Sequence, residues 1–438
     1  MEVVSYDTLV EKWKPVLDEA SVGKITDRHR RAVTAVVLEN TEKALREERG
    51  QASFLAESPG TSVGNASVAN WDPVLISLVR RAMPNMIAYD LCGVQPMTGP
   101  TGLIFAMKSR YDAGTTGSTE ALFNEANTRH SGDSAGVQSA DPAGLLGLVP
   151  GLDSNIDNER TGPTFAGGMS TANAELEGAF RPMGFTIERS TVTAKSRALS
   201  ADYSLELAQD LRAIHGLDAE TELSNILSTE ILAEINREVI RTINSQAKTG
   251  AQQSTLQNRG IFDLSVDADG RWSAEKFKGL LLQIDRERNV ISKETRRGRG
   301  NFVLCSSDVA SALSLTGALD YAPALSTALQ VDDTGNTFAG VLQGQVRVYI
   351  DNFATNDFIT VGYKGNNAYD AGLFYCPYVP LTMLRAVRDQ DFQPRIGFKT
   401  RYGMVSNPFV GATPANGLAT ARTNQYYRIF RVDNMLVS

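Results

Sequence analysis

The chain has 438 residues, 42% of them hydrophobic and 21% charged, with a formal net charge of −7 at neutral pH. These values predict a globular protein with room for two or three domains. They argue against a surface devoted to gripping phosphates, and no run approaches the ~20 apolar residues of a membrane span.

Residues 1–57 read as a separate helical unit. Leu9, Trp13 and Leu17, then Val33, Val36, Val37, Leu38 and Leu45, form apolar stripes among charges of both signs. The opening MEVVSYDTLVEKWKPVLDEA lacks the basic and apolar regions of a secretory signal. A segment so poor in core is expected to bury its stripe on a partner; the alternative is a helical hairpin docked on its own domain. Ser58–Asn70 is small, polar and Gly/Pro-bearing, the composition of an extended flexible arm. At the junction stands Leu55-Ala56-Glu57, where an exposed backbone would be open to a protease. Trp71–Leu91 returns to helical spacing, with Asp72 as N-cap, Pro73 at the first helical position and Pro84 as a stop or kink.

Gly102–Tyr111 and Met183–Arg197 alternate as β-strands do. The residues between, Asp112–Phe180, are rich in Gly, Ser, Thr, Ala and Asn and hold too few large apolar residues for a core. Two strands flanking a long excursion predict a β-arm, which is marginal by itself and should lie on another subunit.

Between Asp218 and Ala247, Leu223, Leu227, Ile231, Ile235, Val239 and Ile243 recur every fourth residue, with Ile226 and Ile240 beside them. This is a helix of roughly 45 Å at about 1.5 Å per residue. Gly216 separates it from a shorter leading helix, and the Asp218 carboxylate suits its orphan N–H groups. It fits either a core helix of an α/β protein or the scaffold of a flat assembling subunit. Trp272–Lys293 is a further amphipathic helix and Asp308–Leu315 a short one. Strands are expected at Asn301–Cys305, Asn336–Asp351, Phe358–Lys364, Ala371–Thr382, Gln393–Val405 and Tyr426–Asn434. The fold class is α+β.

Chemistry-bearing patterns are scarce. The histidines, His29, His130 and His215, have no setting that suits a general base. The three cysteines, Cys92, Cys305 and Cys376, are far apart, which suits buried thiols and neither a disulfide framework nor a metal cluster. Asp267–Gly270 resembles the opening of a calcium loop, but Ser265 and Lys276 occupy its first and twelfth places. Arg296–Gly300 (RRGRG) sits at a helix end without interleaved aromatics, so an ion-pairing terminus is favoured over a nucleic-acid contact. No catalytic residue, cofactor or metal site is predicted.

Long blocks of the chain resemble the major capsid proteins of T4-like tailed bacteriophages. They are WDPVLISLVRRAMPNMIAYDLCGVQPMTGPTGLIFAMKSRY (Trp71–Tyr111), Lys195–Val239, FAGVLQGQVRVYID (Phe338–Asp351), VGYKG with DAGLFYCPYVPLTMLR (Val361–Arg385), and QPRIGFKTRYG with NPF (Gln393–Phe409). The resemblance implies an HK97-like capsid fold. It divides the chain into a helical propeptide (1–57), a flexible arm (58–70), and an N-terminal helix with its connection (71–101). An extended E-loop with a shortened insertion (102–197) follows, then a peripheral domain built on the long helix (198–300), an axial domain (301–382) and C-terminal strands (383–438).

By the same resemblance the chain self-assembles into hexameric capsomers of a phage head in the virion, built in the host cytoplasm. Its partners are its own copies, a prohead protease, scaffolding proteins, vertex or decoration proteins, and packaged DNA held without specific binding. The family's protease cuts after an [Ile/Leu]-x-Glu, which Leu55-Ala56-Glu57 matches, so scission is expected between Glu57 and Ser58. Phe105, Met107, Arg110, Phe185, Ile187 and Arg189 on the arm are the expected subunit contacts. A pentameric vertex paralogue of the same fold is the alternative, and an oligomeric cytoplasmic enzyme a remote one.

Overall fold

The computed structural model describes residues 6–18, 25, 27–55, 86–112, 114–115, 117–122, 126–127, 130–132, 171–176, 181–253, 256–268, 270, 272–321, 336–367, 369–388, 393–410 and 417–435. The expected arm at 58–70, the helix start at Asp72 and Pro73, the Glu57–Ser58 bond and most of 112–180 lie outside the described residues. The chain divides into two compact units, Met1–Ile104 with Ser190–Ser438, and Phe105–Arg189.

The first unit holds two sheets. Four strands, β1 (Gly93–Val94), β12 (Leu373–Val387), β13 (Pro394–Ser406) and β4 (Lys195–Asp202), lie in that spatial order. The second sheet has eight strands. Its path runs β5 (Ala247–Thr249), β14 (Asn424–Asp433), β11 (Phe358–Gly362), β7 (Phe302–Ser306), β10 (Val346–Asp351), β9 (Asn336–Leu342), β8 (Leu319–Tyr321). The eighth strand, β6 (Ile261–Asp263), pairs with β14 beside β5. β7 and β10 run parallel, whereas β11 lies antiparallel to both β7 and β14.

Every residue of β7 is buried, because helices cover both faces of this sheet. Phe302 and Leu304 join one core cluster and Val303 and Cys305 the other, as the twofold alternation of a strand requires. On one side lies the long helix α7 (Ala219–Gln246), whose Ile231, Ile235, Val239, Ile240 and Ile243 are buried. It packs on β4, β13 and β14, so it bridges the two sheets. On the other side α8 (Ser273–Thr295) and α9 (Ser307–Leu315) bury Leu280, Ile284, Val309 and Leu313.

Several expectations are corrected. Met183–Arg197 is two strands, β3 (Met183–Thr193) and β4, because β4 leaves the arm and takes β13 as its partner. Residues 373–382 lie in β12 and pair with β13 in the four-stranded sheet. Ile226 is 61% exposed, because at about 100° per residue it falls on the side of the helix turned away from Val239, at the middle of the buried face. Asp218 is at the N-cap of α7, but its carboxylate accepts from the Thr221 hydroxyl at 2.9 Å and makes no cap bond to a backbone N–H. Gly216 ends the leading helix α6 (Leu205–His215) in the left-handed region, at φ 65°, where glycine carries no Cβ penalty.

The N-terminal segment is also docked. Helices α1 (Tyr6–Lys12), α2 (Lys14–Leu17), α3 (Arg28–Leu55) and α4 (Ala88–Leu91) belong to the first unit, and α5 (Thr171–Leu176) to the second. Val33, Val37 and Leu38 of α3 lie in the same cluster as Ile231 and Tyr375, and α3 packs on β12. The alternative of a helical hairpin on its own domain therefore describes this chain, and no partner is needed to bury this stripe.

Candidate functional site

The second unit is organised by a two-stranded ladder of β2 (Thr101–Tyr111) and β3. One face of it is polar and tied together. Arg110 donates to the Thr186 hydroxyl at 2.8 Å, the Ser118 carbonyl at 2.6 Å and Glu188 Oε1 at 2.9 Å, while Lys108 meets Glu188 at 2.7 Å. Side chains alternate across a strand, so the odd-numbered residues face the other way. There Phe105 is 61% exposed, Met107 65%, Phe185 62% and Ile187 63%. Met183 and Arg189 are exposed on that face as well. Five of the six expected contact residues thus share one open, mostly apolar ribbon. Arg110 does not join them: it is 8% exposed and its guanidinium holds β2 to β3.

Past β2 the chain turns tightly. Asp112 and Gly114 have φ of 59° and 71°, and a Cβ on Gly114 would meet Gly184 Cα at 2.9 Å. Tyr111 and His130 lie with ring centroids 4.7 Å apart, and His130 Nε2 is 3.0 Å from the Pro182 carbonyl. His130 therefore anchors the turn.

The polar side of α7 forms a second surface, within the first unit. Arg197 of β4 donates to Glu234 at 2.8 Å and Glu238 at 2.5 Å, and its Nε meets the Tyr402 hydroxyl at 2.5 Å. Desolvation pulls the Arg197 pKa down, but Glu238 and Tyr402 outweigh it and raise the pKa overall. One turn away, Arg237 binds Asp351 at 2.6 Å and lies over the Phe353 ring at 5.1 Å. Arg197, Glu230, Glu234, Arg237, Glu238, Arg241, Phe353 and Leu418 line a groove of about 920 Å³. Its cations and carboxylates largely neutralise one another, so it has no strong preference for either sign of ligand.

Most of the remaining chemistry-bearing residues have structural partners. His29 Nε2 is 3.1 Å from the Val94 carbonyl. Arg297 of the RRGRG stretch pairs with Asp370 at 3.3 Å and covers the Phe409 ring at 4.3 Å, and Arg299 is 4.0 Å from Asp285. Asp267 accepts from the backbone N–H groups of Gln257 and Asp263, both at 3.1 Å, as a turn residue does. Burial pushes the thiols of Cys92, Cys305 and Cys376 up to about 12, so they stay protonated at neutral pH. Among the described residues no cluster of three or more His, Cys, Asp or Glu is placed to hold a metal ion. Among them, too, no helix is long and apolar enough to cross a membrane.

An open apolar ribbon and a self-neutralised groove are the features of a structural subunit made for lateral contacts. The family model described as major capsid protein Gp23 matches residues 68–432. The major capsid protein of Serratia phage KSP90 is 42% identical over 450 residues, covering 97% of each chain. That of Enterobacteria phage T4 is 39% identical over 488 residues, covering 93% of each. The capsid vertex protein of phage T4 is 27% identical over only 241 residues, 52% of this chain and 54% of that one. The chain belongs to the Gp23 major capsid protein family of T4-like phages, and its place is the capsid of the virion. The partial match to the vertex protein leaves the paralogue reading the weaker one.

Sequence reasoning missed the Arg197–Glu234–Glu238–Tyr402 cluster. The i, i+4 carboxylates Glu234 and Glu238 were a visible signal; their cation comes from a strand some forty residues earlier, which no local pattern reveals.

Proposed function

We propose that this chain is the hexamer-forming wall subunit of a T4-like head enclosing double-stranded DNA, with the HK97-like fold of its resemblance. The observation that carries this reading is the ribbon of Phe105, Met107, Phe185 and Ile187, exposed in the isolated chain. Contiguous apolar surface of this kind marks an interaction site, and in a shell the available cover is another copy. Arg189 borders the ribbon as a rim charge, and Arg110 holds the ladder rigid behind it.

In this reading the eight-stranded sheet is the axial domain at the capsomer centre. The four-stranded sheet with α7 is the peripheral domain. Residues 1–57 are a propeptide removed by a prohead protease after Glu57, in the Leu55-Ala56-Glu57-Ser58 context. Scaffolding, vertex and decoration proteins are further partners. DNA is enclosed without specific binding, as the net charge of −7 favours. No side chain has a catalytic role.

The test is a Phe105→Ser, Phe185→Ser double variant. Both side chains are exposed, so the free subunit keeps its melting temperature to within what about 0.5 kcal/mol can shift. Shells, tubes and rings are lost from overexpressing cells. Assemblies at wild-type yield would contradict the reading.

A further inference from the structure

We infer that the N-terminal segment is a built-in helical ligand of its own subunit, and that scission after residue 57 leaves it bound until its hold on the main chain of the body is broken. The inference rests on the proposed propeptide reading only for its biological consequence. Its physical basis is the docking itself.

The apolar part of the site comes first. Val33, Val37 and Leu38 of α3 are buried with Met86, Ile87, Tyr89, Leu91 and Val94. Leu17 of α2 is fully buried too, and Trp13 and Val16 pack on the same cluster. A helical face is set into a concave apolar surface, the arrangement by which grooves hold amphipathic helices in trans.

The polar part fixes register. Asn40 is 7% exposed, and its amide donates to the Met97 carbonyl at 2.8 Å and the Tyr378 carbonyl at 3.0 Å. Both of its N–H groups are thus used, one on the connection after β1 and one on β12. Arg30 donates to Asp90 at 2.8 Å and lies over the Tyr89 ring at 5.3 Å. The segment is also bound to itself, through Lys12 with Glu39 and Glu42 at 2.6 and 2.7 Å and Arg31 with Asp18 at 3.0 Å. It is therefore held as one piece.

Each of these contacts lies between residues 12 and 42 on the segment's side. Hydrolysis of the 57–58 bond adds one water and leaves a carboxylate on Glu57 and an amine on Ser58, and it breaks none of them. What it removes is the tether, and with it the high effective concentration of the helix at its groove. Release then becomes an ordinary dissociation. It exposes the apolar face around Tyr89 and Leu91 to water and exchanges the Asn40 bonds to the Met97 and Tyr378 carbonyls for bonds to water, and the lost burial opposes departure.

The experiment uses the full chain with residues 58–64 replaced by the recognition sequence of a site-specific protease. The protein is cut at about micromolar concentration and passed over a sizing column. The fragment is expected to travel with the body. In an Arg30→Ala, Asn40→Ala variant, checked by circular dichroism before cutting, release is expected to be about tenfold faster or more. A wild-type fragment that runs free as soon as the bond is cut overturns the inference, whether or not the variant folds. A folded variant that holds its fragment as long as wild type overturns it as well. The engineered site makes either result independent of whether Glu57 is the natural junction, which processing of a Glu57→Ala chain tests separately.

Discussion

Arg428 Nε donates to Glu287 Oε2 at 2.6 Å, with both side chains almost fully buried. Glu287 also accepts from the Ala251 N–H at 2.8 Å and from Gln283 at 2.9 Å. One carboxylate therefore ties the C-terminal strand β14, helix α8 and the chain after β5 together. Removing one partner of such a pair leaves the other charged and buried, which costs far more than the pair contributes. Glu287→Ala is expected to lose about 3–5 kcal/mol in chemical denaturation of the free subunit. A loss under ~1 kcal/mol would show that water replaces the pair.

Gly362 of β11 faces Phe302 of β7 so closely that a Cβ would fall 2.2 Å from the ring. Gly362→Ala should therefore force the ring or the strand aside and cost about 1–3 kcal/mol, as overpacked cores do. A melting temperature equal to wild type would place that ring elsewhere.

The buried thiols give a prediction in pH. Their folded values lie near 12, raised by burial from an ordinary 9.0. Above about pH 9 the unfolded chain gives up these protons while the folded chain retains them. Stability is therefore full below pH 9 and falls as pH rises towards 12, by up to about 1.4 kcal/mol per pH unit for each thiol. Denaturant midpoints at pH 8 and pH 10 check the sign. A thiol-specific disulfide reagent at pH 8 should react slowly with native protein and quickly once it is unfolded. Fast labelling of the native subunit would contradict the burial.

Processing gives another. Mass determination of the protein from mature particles is expected to begin at Ser58, and Glu57→Ala to abolish that species. Deleting residues 1–57 should destabilise the free subunit as well as misdirect assembly, since Leu17, Val33, Val37 and Leu38 leave the core with it. A deletion that builds normal heads would remove any role for the segment.

Local periodicity carried much of the architecture. The row from Ile231 to Ile243 is buried on α7 as its fourfold spacing requires, and the alternation of β2 and β3 is readable in sequence because each side chain faces opposite its neighbour. What was hidden depends on distant partners. That β12 joins β13 and β4, away from the strands just before it, is fixed by pairing across the chain. The docking of α3 was misjudged because its stripe is narrow; the surface that completes it comes from Met86–Val94 and Tyr375. Arg110, expected among the subunit contacts, has the opposite parity to Phe105 and Met107 and bonds Thr186 and Glu188 across the ladder, a partnership no local pattern reveals.

Electron microscopy of the overexpressed full-length protein tests the central claim most directly, because the proposed role of the arm's apolar ribbon is to be covered by a neighbouring copy. Shells, tubes or rings of the chain are predicted. A field of monomers or compact small oligomers, at concentrations where the protein is folded, would contradict the account.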